Sequence, residues 1–293
     1  MTQLAGLYVP LITPFTDNGD LDEGALEQLA HRVLDDGAAG LVALGTTAET
    51  PTLTDAERAR VLGVCDRVCR DRAATLIAGA GTNDTARSAA AVADVSRFPQ
   101  VRAALTVVPY YSRPGAPGVL EHFRTLGKGS PVPLLVYNIP YRTGQAVTWP
   151  TMAELAKTPG IGGVKHAAGG IDDDTLAMMA ERPPGFRVLG GDDLYISPLL
   201  ALGADGGILA SAHVRTGDFA RLIRLWRDGA MQEARLLGHE LTRVARALFA
   251  EPNPVVIKAV LHRLGQIPSP AVRLPLVRAS DAAADAAVCI AAG

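Results

Sequence analysis

Lys165 is the residue whose type and position point most directly to chemistry. The chain contains 28 lysines and arginines, and only four are lysines: Lys128, Lys157, Lys165 and Lys258. Lys165 ends the apolar run 161–165, which is typical of a buried strand. A buried ammonium is costly unless it is paired or neutralised, and Arg never loses its proton in a protein. A desolvated lysine amine is therefore a candidate nucleophile that forms a Schiff base with a carbonyl substrate.

Hydroxyl and phenol side chains are concentrated after other apolar runs, in segments 45–50, 109–114 and 137–144. An imine between an amine and a 2-oxo acid acidifies the neighbouring carbon, and phenols and hydroxyls can then transfer the proton. A Gly-Thr-Thr turn can donate hydroxyl and backbone N–H bonds to a carboxylate. These residue types indicate carbanion chemistry on a 2-oxo acid.

Eight short apolar runs recur along the first part of the chain, and such runs suit strands buried on both faces of a parallel sheet. The runs are 8–13, 41–44, 75–80, 103–108, 133–137, 162–165, 186–190 and 206–210. Amphipathic segments separate them; one begins with the capping box Thr54–Glu57. The pattern predicts an α/β fold, a (β/α)8 TIM barrel. A doubly wound open sheet is the alternative, and the absence of G-x-G-x-x-G after the first run disfavours it.

The active site of such a barrel lies at the carboxyl ends of the strands. We therefore expect Tyr137 at the end of strand 5 and Lys165 at the end of strand 6. Residues 1–225 are predicted to form the barrel that carries the site. Residues 226–293 are predicted to form a C-terminal helical appendage without a separate function, with helices at 231–250, 255–264 and 279–292.

Composition excludes several classes of protein. The net charge of −2 in 293 residues gives no reason to expect nucleic acid or an anionic membrane as a partner. Apolar runs are shorter than the roughly 18 residues of a membrane span, and we expect no signal peptide. An odd number of cysteines, with Cys65 and Cys69 on one predicted helix, favours reduced thiols in a cytoplasmic protein.

We expect no metal ion, because the six histidines are scattered and no H-x-x-H or C-x-x-C pair occurs. Asp192 and Asp193 could bind a metal, but no third ligand is evident. A structural or capping role is favoured for both carboxylates.

Six segments, in order and at fitting spacing, resemble the dihydrodipicolinate synthase and N-acetylneuraminate lyase superfamily. They are GTTAET (45–50), TVVPYYSRPG (106–115), YNIPYRTG (137–144), GVKHAAG (163–169), GGDD (190–193) and EPNPVVIKAVLHRLG (251–265). The resemblance extends from near residue 6 to about residue 278. Segments YNIPYRTG and EPNP are most similar to the synthase branch.

The resemblance implies catalytic roles for four residues. Lys165 is implied to form the Schiff base with pyruvate, and Tyr137 to move protons to and from the pyruvyl carbon. Thr46 and Tyr111 are implied to complete a proton relay with Tyr137. In this family Tyr111 would be supplied by a neighbouring subunit.

The resemblance also implies residues that bind the substrates. Thr47, in the turn that begins at Gly45, is implied to hold the pyruvate carboxylate. Arg142 is implied to bind the carboxylate of aspartate semialdehyde, for which its planar fork is suited. Ile208 matches a position whose backbone carbonyl lies near the lysine.

The implied reaction is an aldol condensation of pyruvate with aspartate semialdehyde, followed by cyclisation to 4-hydroxy-tetrahydrodipicolinate in lysine and diaminopimelate biosynthesis. No cofactor is implied, because the lysine amine is itself the catalyst. The implied assembly is a homotetramer, a dimer of dimers, in the cytoplasm.

Several positions depart from the family pattern. Ala48 stands for a usual Gly, His166 for Glu, and Ala168 for a hydroxyl residue, and strand 8 lacks a Ser. We expect each change to line or border the pocket, which puts the identity of the aldehyde in question. His166 either tunes Lys165 or points to the other face of the strand, and alternation favours the second.

The lysine feedback site of the family is only half matched. Asn83 and Tyr110 fit it, whereas Asp55 and Arg87 stand where His and Glu are expected. An added guanidinium repels the ε-ammonium of a lysine ligand. We therefore predict weak or absent inhibition by lysine.

Alternatives stand beside this interpretation. Lys165 could form a strand-end salt bridge, Tyr137 could be a packed core phenol, and Arg142 a surface ion pair. A sister lyase or aldolase acting on a 2-keto-3-deoxy sugar acid is a second candidate function. A non-catalytic paralogue that binds a keto acid is a third, and the joint presence of Lys165, Tyr137, Thr46 and Tyr111 argues against it.

Overall fold

Eight parallel strands close into a barrel in the computed structural model, which describes residues 4–292. The strands are β1 (Gly6–Pro10), β2 (Gly40–Ala43), β3 (Thr75–Gly79), β4 (Val101–Val107), β5 (Leu134–Asn138), β6 (Ile161–His166), β7 (Arg187–Gly190) and β8 (Gly206–Ile208). Each strand pairs with the next, and β8 pairs with β1. The predicted TIM barrel is confirmed.

Strand ends differ from the prediction by one to three residues. β1 ends at Pro10 rather than at residue 13, because the Ile12 N–H donates to Nε2 of His213 and not to a neighbouring strand. β5 and β6 each extend one residue further than predicted, because Asn138 and His166 are paired across the sheet. Tyr137 and Lys165 therefore lie one residue inside their strands.

The barrel is filled by one apolar cluster and surrounded by others. Its apolar interior contains residues from every strand except β6, among them Tyr8, Leu105, Leu135 and Leu189. The seam between β1 and β8 is tight, because a Cβ at Gly206 would lie 2.0 Å from the carbonyl oxygen of Gly6. The larger clusters fill the space between the strands and the outer helices.

Within residues 4–292, twelve helices surround the barrel or extend its C-terminal side. They are α1 (Glu23–Asp35), α2 (Asp55–Asp71), α3 (Thr85–Asp94), α4 (Gly115–Gly129), α5 (Pro140–Thr143), α6 (Trp149–Ala156), α7 (Asp173–Glu181), α8 (Ile196–Ala201), α9 (Thr216–Arg227), α10 (Met231–Leu248), α11 (Val255–Arg263) and α12 (Asp281–Ala292). The capping box predicted at Thr54 and Glu57 is present at the start of α2.

The three helices predicted after residue 226 are α10, α11 and α12, with ends shifted by one or two residues. The predicted division at residue 225 falls inside α9. The two predicted divisions include residues 1–3 and 293, which lie outside the described residues. The predicted lack of a signal peptide also concerns residues 1–3. Side chains of Asn253, Lys258 and Arg273 donate hydrogen bonds to the loop after β2. The C-terminal region therefore lies against the carboxyl end of the barrel. Across residues 4–292 no helix is long and apolar enough to cross a membrane.

Candidate active site

A cleft of about 240 Å³ opens at the carboxyl ends of the strands. It brings together six of the eight predicted site residues: Thr46, Thr47, Tyr137, Arg142, Lys165 and Ile208. They come from four separate loops or strands, β2–α2, β5–α5, β6 and β8. Closure of the barrel is what makes these distant segments neighbours.

Lys165 lies at the floor of this cleft on β6 and is 5% exposed. Its Nζ is 4.2 Å from the centre of the Tyr137 ring. Gly191 makes room for the lysine stem, because a Cβ there would lie 2.7 Å from Cε of Lys165. Burial lowers the pKa of Lys165 to about 8, the Asp193 carboxylate opposes this shift, and Arg142 reinforces it. On the order of one tenth of the amine is therefore neutral at pH 7.

Tyr137 reaches the same floor from the neighbouring strand, because Tyr137 and Lys165 are register partners in β5 and β6. Both side chains consequently point into the barrel. The ring is buried, and burial raises the pKa of the phenol, while the side chain of Thr46 opposes that rise. The phenol is protonated at neutral pH and faces an amine and a hydroxyl.

The loop after β2 carries the two threonines on a 3-10 turn, Thr46–Ala48. Thr47 is buried, and its hydroxyl accepts a hydrogen bond of 2.9 Å from Nδ2 of Asn253. Gly45 does not line the cleft. Its carbonyl instead accepts bonds from Ala48 N at 3.1 Å and from the Thr50 hydroxyl at 2.8 Å. Gly45 therefore supports the turn and does not form its binding surface.

Arg142 lies in α5, directly beyond β5, at the mouth of the cleft. Its Nε donates to the Tyr141 hydroxyl at 2.9 Å, and its guanidinium carbon lies 5.0 Å from the centre of that ring. Stacking and a hydrogen bond therefore orient the guanidinium, and no residue from 4 to 292 hydrogen-bonds to its terminal nitrogens, which can donate to a ligand.

The carboxylates after β7 accept backbone hydrogen bonds, as their favoured structural role predicts. Asp192 accepts from Gly169 N at 2.8 Å, and Asp193 accepts from Ser211 N at 2.6 Å. Both also line the cleft. Burial raises the pKa of Asp193 to about 6, and bonds from Ser211 and the charge of Lys165 oppose the rise. Asp193 thus sets the electrostatics around Lys165.

Tyr111 is not part of the cleft within this chain. Its side chain is 91% exposed, and its backbone is in the left-handed region with φ of 67°. A non-glycine residue in that region carries strain of about 1–3 kcal/mol. The phenol therefore faces solvent in the single chain and not the cleft.

Ala48 and His166 border the cleft without lining it, because they directly follow the lining residues Thr47 and Lys165 in the chain. Of the residues that the structure describes, those lining the cleft do not include Ala48, His166 or Ala168. His166 points outward, and its Nε2 lies 2.9 Å from the hydroxyl of Thr175 in α7, as strand alternation predicts. The Ala48 carbonyl accepts from the Thr13 hydroxyl at 2.8 Å. Among the described residues, none of these three contributes to the lining of the cleft.

Other cleft residues had no predicted role. Asn253 and Phe249 line the cleft from the C-terminal side, and Oδ1 of Asn253 is buried without a partner among the described residues. The EPNP segment was the available signal for Asn253. Lys258, which is not among the residues lining the cleft, was also missed, although the scarcity of lysines that drew attention to Lys165 applied to it equally. Across residues 4–292 no group of His, Cys, Asp and Glu could hold a metal ion.

Fold and cleft together define an enzyme of the (β/α)8 class with a buried amine at the carboxyl ends of its strands. The model of the dihydrodipicolinate synthetase family matches residues 3–291. A 4-hydroxy-tetrahydrodipicolinate synthase of Moorella thermoacetica is 39% identical over 281 residues, 95% of this chain and 94% of the relative. The chain belongs to the dihydrodipicolinate synthetase family.

Solved structures of dihydrodipicolinate synthases also match this chain. The dihydrodipicolinate synthase of Acinetobacter baumannii complexed with pyruvate has a TM-score of 0.94 at 30% identity and covers 99% of each chain. A monomeric dihydrodipicolinate synthase variant has a TM-score of 0.93 at 31% identity, over 99% of this chain and 96% of the variant. The predictions of family, of a lyase and of a synthase function are confirmed.

Proposed function

We propose that this chain condenses pyruvate with aspartate semialdehyde through an imine on Lys165. The observation that carries the proposal is the amine itself: it is buried, its pKa is lowered to about 8, and it faces a cleft lined by phenol, hydroxyl and guanidinium groups. Within the described residues its Nζ has neither an ion pair nor a hydrogen bond, so it is available to a carbonyl carbon.

The first half of the reaction activates pyruvate. The neutral Lys165 amine adds to the C2 carbonyl carbon, and loss of water leaves a protonated imine. That imine acidifies C3, and the phenol of Tyr137 relays the proton that leaves C3, with Thr46 as its neighbour. Thr47 holds the pyruvate carboxylate through its hydroxyl and the N–H groups of its turn. The carbonyl of Ile208 borders the lysine.

The second half forms the carbon–carbon bond. The enamine carbon attacks the aldehyde carbon, and the aldehyde oxygen takes a proton. Arg142 binds the aldehyde's carboxylate, since its terminal N–H groups face the mouth of the cleft. Attack of the substrate's own amine on C2 then breaks the bond to Lys165 and releases the cyclic product.

We also propose a homotetramer, with Tyr111 supplied to the cleft of a neighbouring subunit, and a cytoplasmic location. Exposure of the Tyr111 phenol on a left-handed backbone supports the first part. Buried, unpaired Cys65 and Cys69 support the second. Mixing inactive Lys165→Met and Tyr111→Phe copies would restore part of the activity only if the phenol acts across an interface.

A panel of aldehydes, each supplied with pyruvate, tests the proposed substrate. Turnover of aspartate semialdehyde, with a KM that rises in Arg142→Ala while the KM for pyruvate is unchanged, is the expected result. Turnover of a sugar aldehyde but not of aspartate semialdehyde would reject it. The cleft-lining Phe249 and the fixed Arg142 favour the short, carboxylated aldehyde over a polyol.

A further inference from the structure

A second buried lysine supports the loop that carries the cleft threonines. Lys258, in α11, is completely buried. Its Nζ donates to Oε1 of Glu49 at 2.5 Å and to the Ala271 carbonyl at 2.8 Å. It also lies 4.2 Å from the centre of the buried Phe15 ring. Three protein groups therefore stabilise the charge: a carboxylate, a carbonyl and an aromatic ring.

Glu49 is held from both sides. Its Oε1 accepts from Lys258, and its Oε2 accepts from the backbone N–H of Arg273 at 2.9 Å. The side chain is 1% exposed. Both donors belong to the C-terminal region, so the carboxylate fastens the loop after β2 to a different part of the chain.

Glu49 also ends the turn that carries the cleft threonines. Its backbone is left-handed, with φ of 54°, and its N–H donates to the Thr46 carbonyl at 3.2 Å. The turn Thr46–Ala48 lies directly before it. Displacement of Glu49 would therefore move the hydroxyls of Thr46 and Thr47.

Stability alone does not account for this arrangement. A glycine would adopt the left-handed conformation without strain, and replacing a buried ion pair with apolar residues is often neutral or stabilising. A charged pair that is costly to bury is instead suited to fixing one geometry.

We propose that Glu49 and Lys258 are positioning residues that hold the Thr46–Thr47 turn against the reacting carbon of the substrate. The inference rests on the proposed function, because it assigns the purpose of the turn to pyruvate binding. It gives the C-terminal region a part in catalysis through Lys258 on α11. Displacement of a reacting group by about 1 Å can cost on the order of 100-fold in rate.

Two variants and one control test the proposal. Lys258→Met removes the cation, and Glu49→Gln places an amide NH2 against one of two donors. Asp205→Asn is the control: Asp205 accepts from Arg182 and Arg187 at the opposite end of the barrel, with its side chain 10% exposed. For each variant the melting temperature, kcat, the KM for pyruvate and the pH midpoint of borohydride trapping are measured.

The expected result is a KM for pyruvate raised at least about tenfold in Lys258→Met and a few-fold in Glu49→Gln. The pH midpoint of trapping should be unchanged, because Lys165 is untouched. The control should lose melting temperature with its KM for pyruvate unchanged. A wild-type KM in either variant, or a KM change in the control that matches its loss of melting temperature, overturns the proposal.

The proposal can be tested even if one variant fails to fold. If Lys258→Met does not fold, the nearly isosteric Glu49→Gln decides alone. The proposed function is tested separately in the same series, since absence of any pyruvate adduct on the wild-type chain would reject the function whatever the variants do.

Discussion

Lys165 and Lys258 are both buried, and burial lowers the pKa of each to about 8, yet their surroundings are opposite. Lys165 faces an open cleft and, within residues 4–292, has no ion pair. Lys258 is enclosed with Glu49 at 2.5 Å, which opposes the shift. The comparison shows that a buried lysine is characterised by its partner: one amine is available to a carbonyl carbon, and the other is a fixed cation.

Replacing each lysine with methionine is the most direct test of the difference between the nucleophilic amine and the structural cation. Lys165→Met should lower kcat/KM by roughly 10³-fold or more, because no imine can form. Lys258→Met should retain measurable turnover, since it affects only the position of the turn. Steady-state rates with saturating aldehyde check both, and equal losses would contradict the distinction between the two residues.

The same two variants should move stability in opposite directions at pH 7. Lys258→Met leaves the Glu49 carboxylate buried and unpaired, which costs about 3–5 kcal/mol in the free energy of unfolding. Lys165→Met removes a desolvated amine and should raise that free energy by about 1–3 kcal/mol. Urea denaturation measures both, and a loss of stability in Lys165→Met would refute the account.

The gain in Lys165→Met depends on pH with a definite sign. A solvated lysine amine has a pKa of 10.5, and burial lowers the pKa of Lys165 to about 8 in the folded chain. Between these values the unfolded chain binds a proton that the folded chain lacks, so wild-type stability rises with pH. The advantage of Lys165→Met should therefore shrink from pH 8 to pH 10.5.

Tyr137→Phe separates the two steps assigned to the cleft, imine formation on Lys165 and proton transfer by the phenol. Loss of the phenol should lower kcat by about 10²- to 10³-fold. Borohydride trapping of pyruvate on Lys165 should continue, because the amine is retained. Loss of trapping together with loss of turnover would mean that the phenol is needed to form the imine.

The smallest expected effect is that of free lysine on the reaction rate. Like Lys258, the ammonium group of a lysine ligand needs a carboxylate partner. Arg87 lies in the first turn of α3 and is exposed, where the family places Glu. Millimolar lysine should leave initial rates unchanged. Arg87→Glu is the matched gain-of-function variant, and inhibition of the wild type at micromolar lysine would contradict the prediction.

The barrel was predictable because eight apolar runs and their amphipathic partners each follow a local rule. The ends of the strands were less predictable, because hydrogen bonds between distant residues determine them, such as the bond from Ile12 N–H to His213. In the site, the motif positions of Thr46, Thr47, Tyr137, Arg142, Lys165 and Ile208 agree with one cleft.

Contacts between distant segments were not predictable. Lys258 and Glu49 are 209 positions apart, and nothing local pairs them. Strand alternation was enough to predict that the His166 side chain points away from the cleft. The position of Ala48 outside the cleft lining depends on the geometry of its turn, which the sequence alone does not specify. The role implied for Tyr111 depends on a contact with a second copy of the chain, which no pattern within one sequence specifies.

Borohydride trapping with pyruvate, followed by peptide mass mapping, tests the central claim most directly. The predicted result is one reduced adduct, on the peptide that contains Lys165, with a trapping rate that rises with pH through about 8 as the amine loses its proton. An adduct on the peptide that contains Lys258, or no adduct at all, would contradict the assignment of the nucleophile.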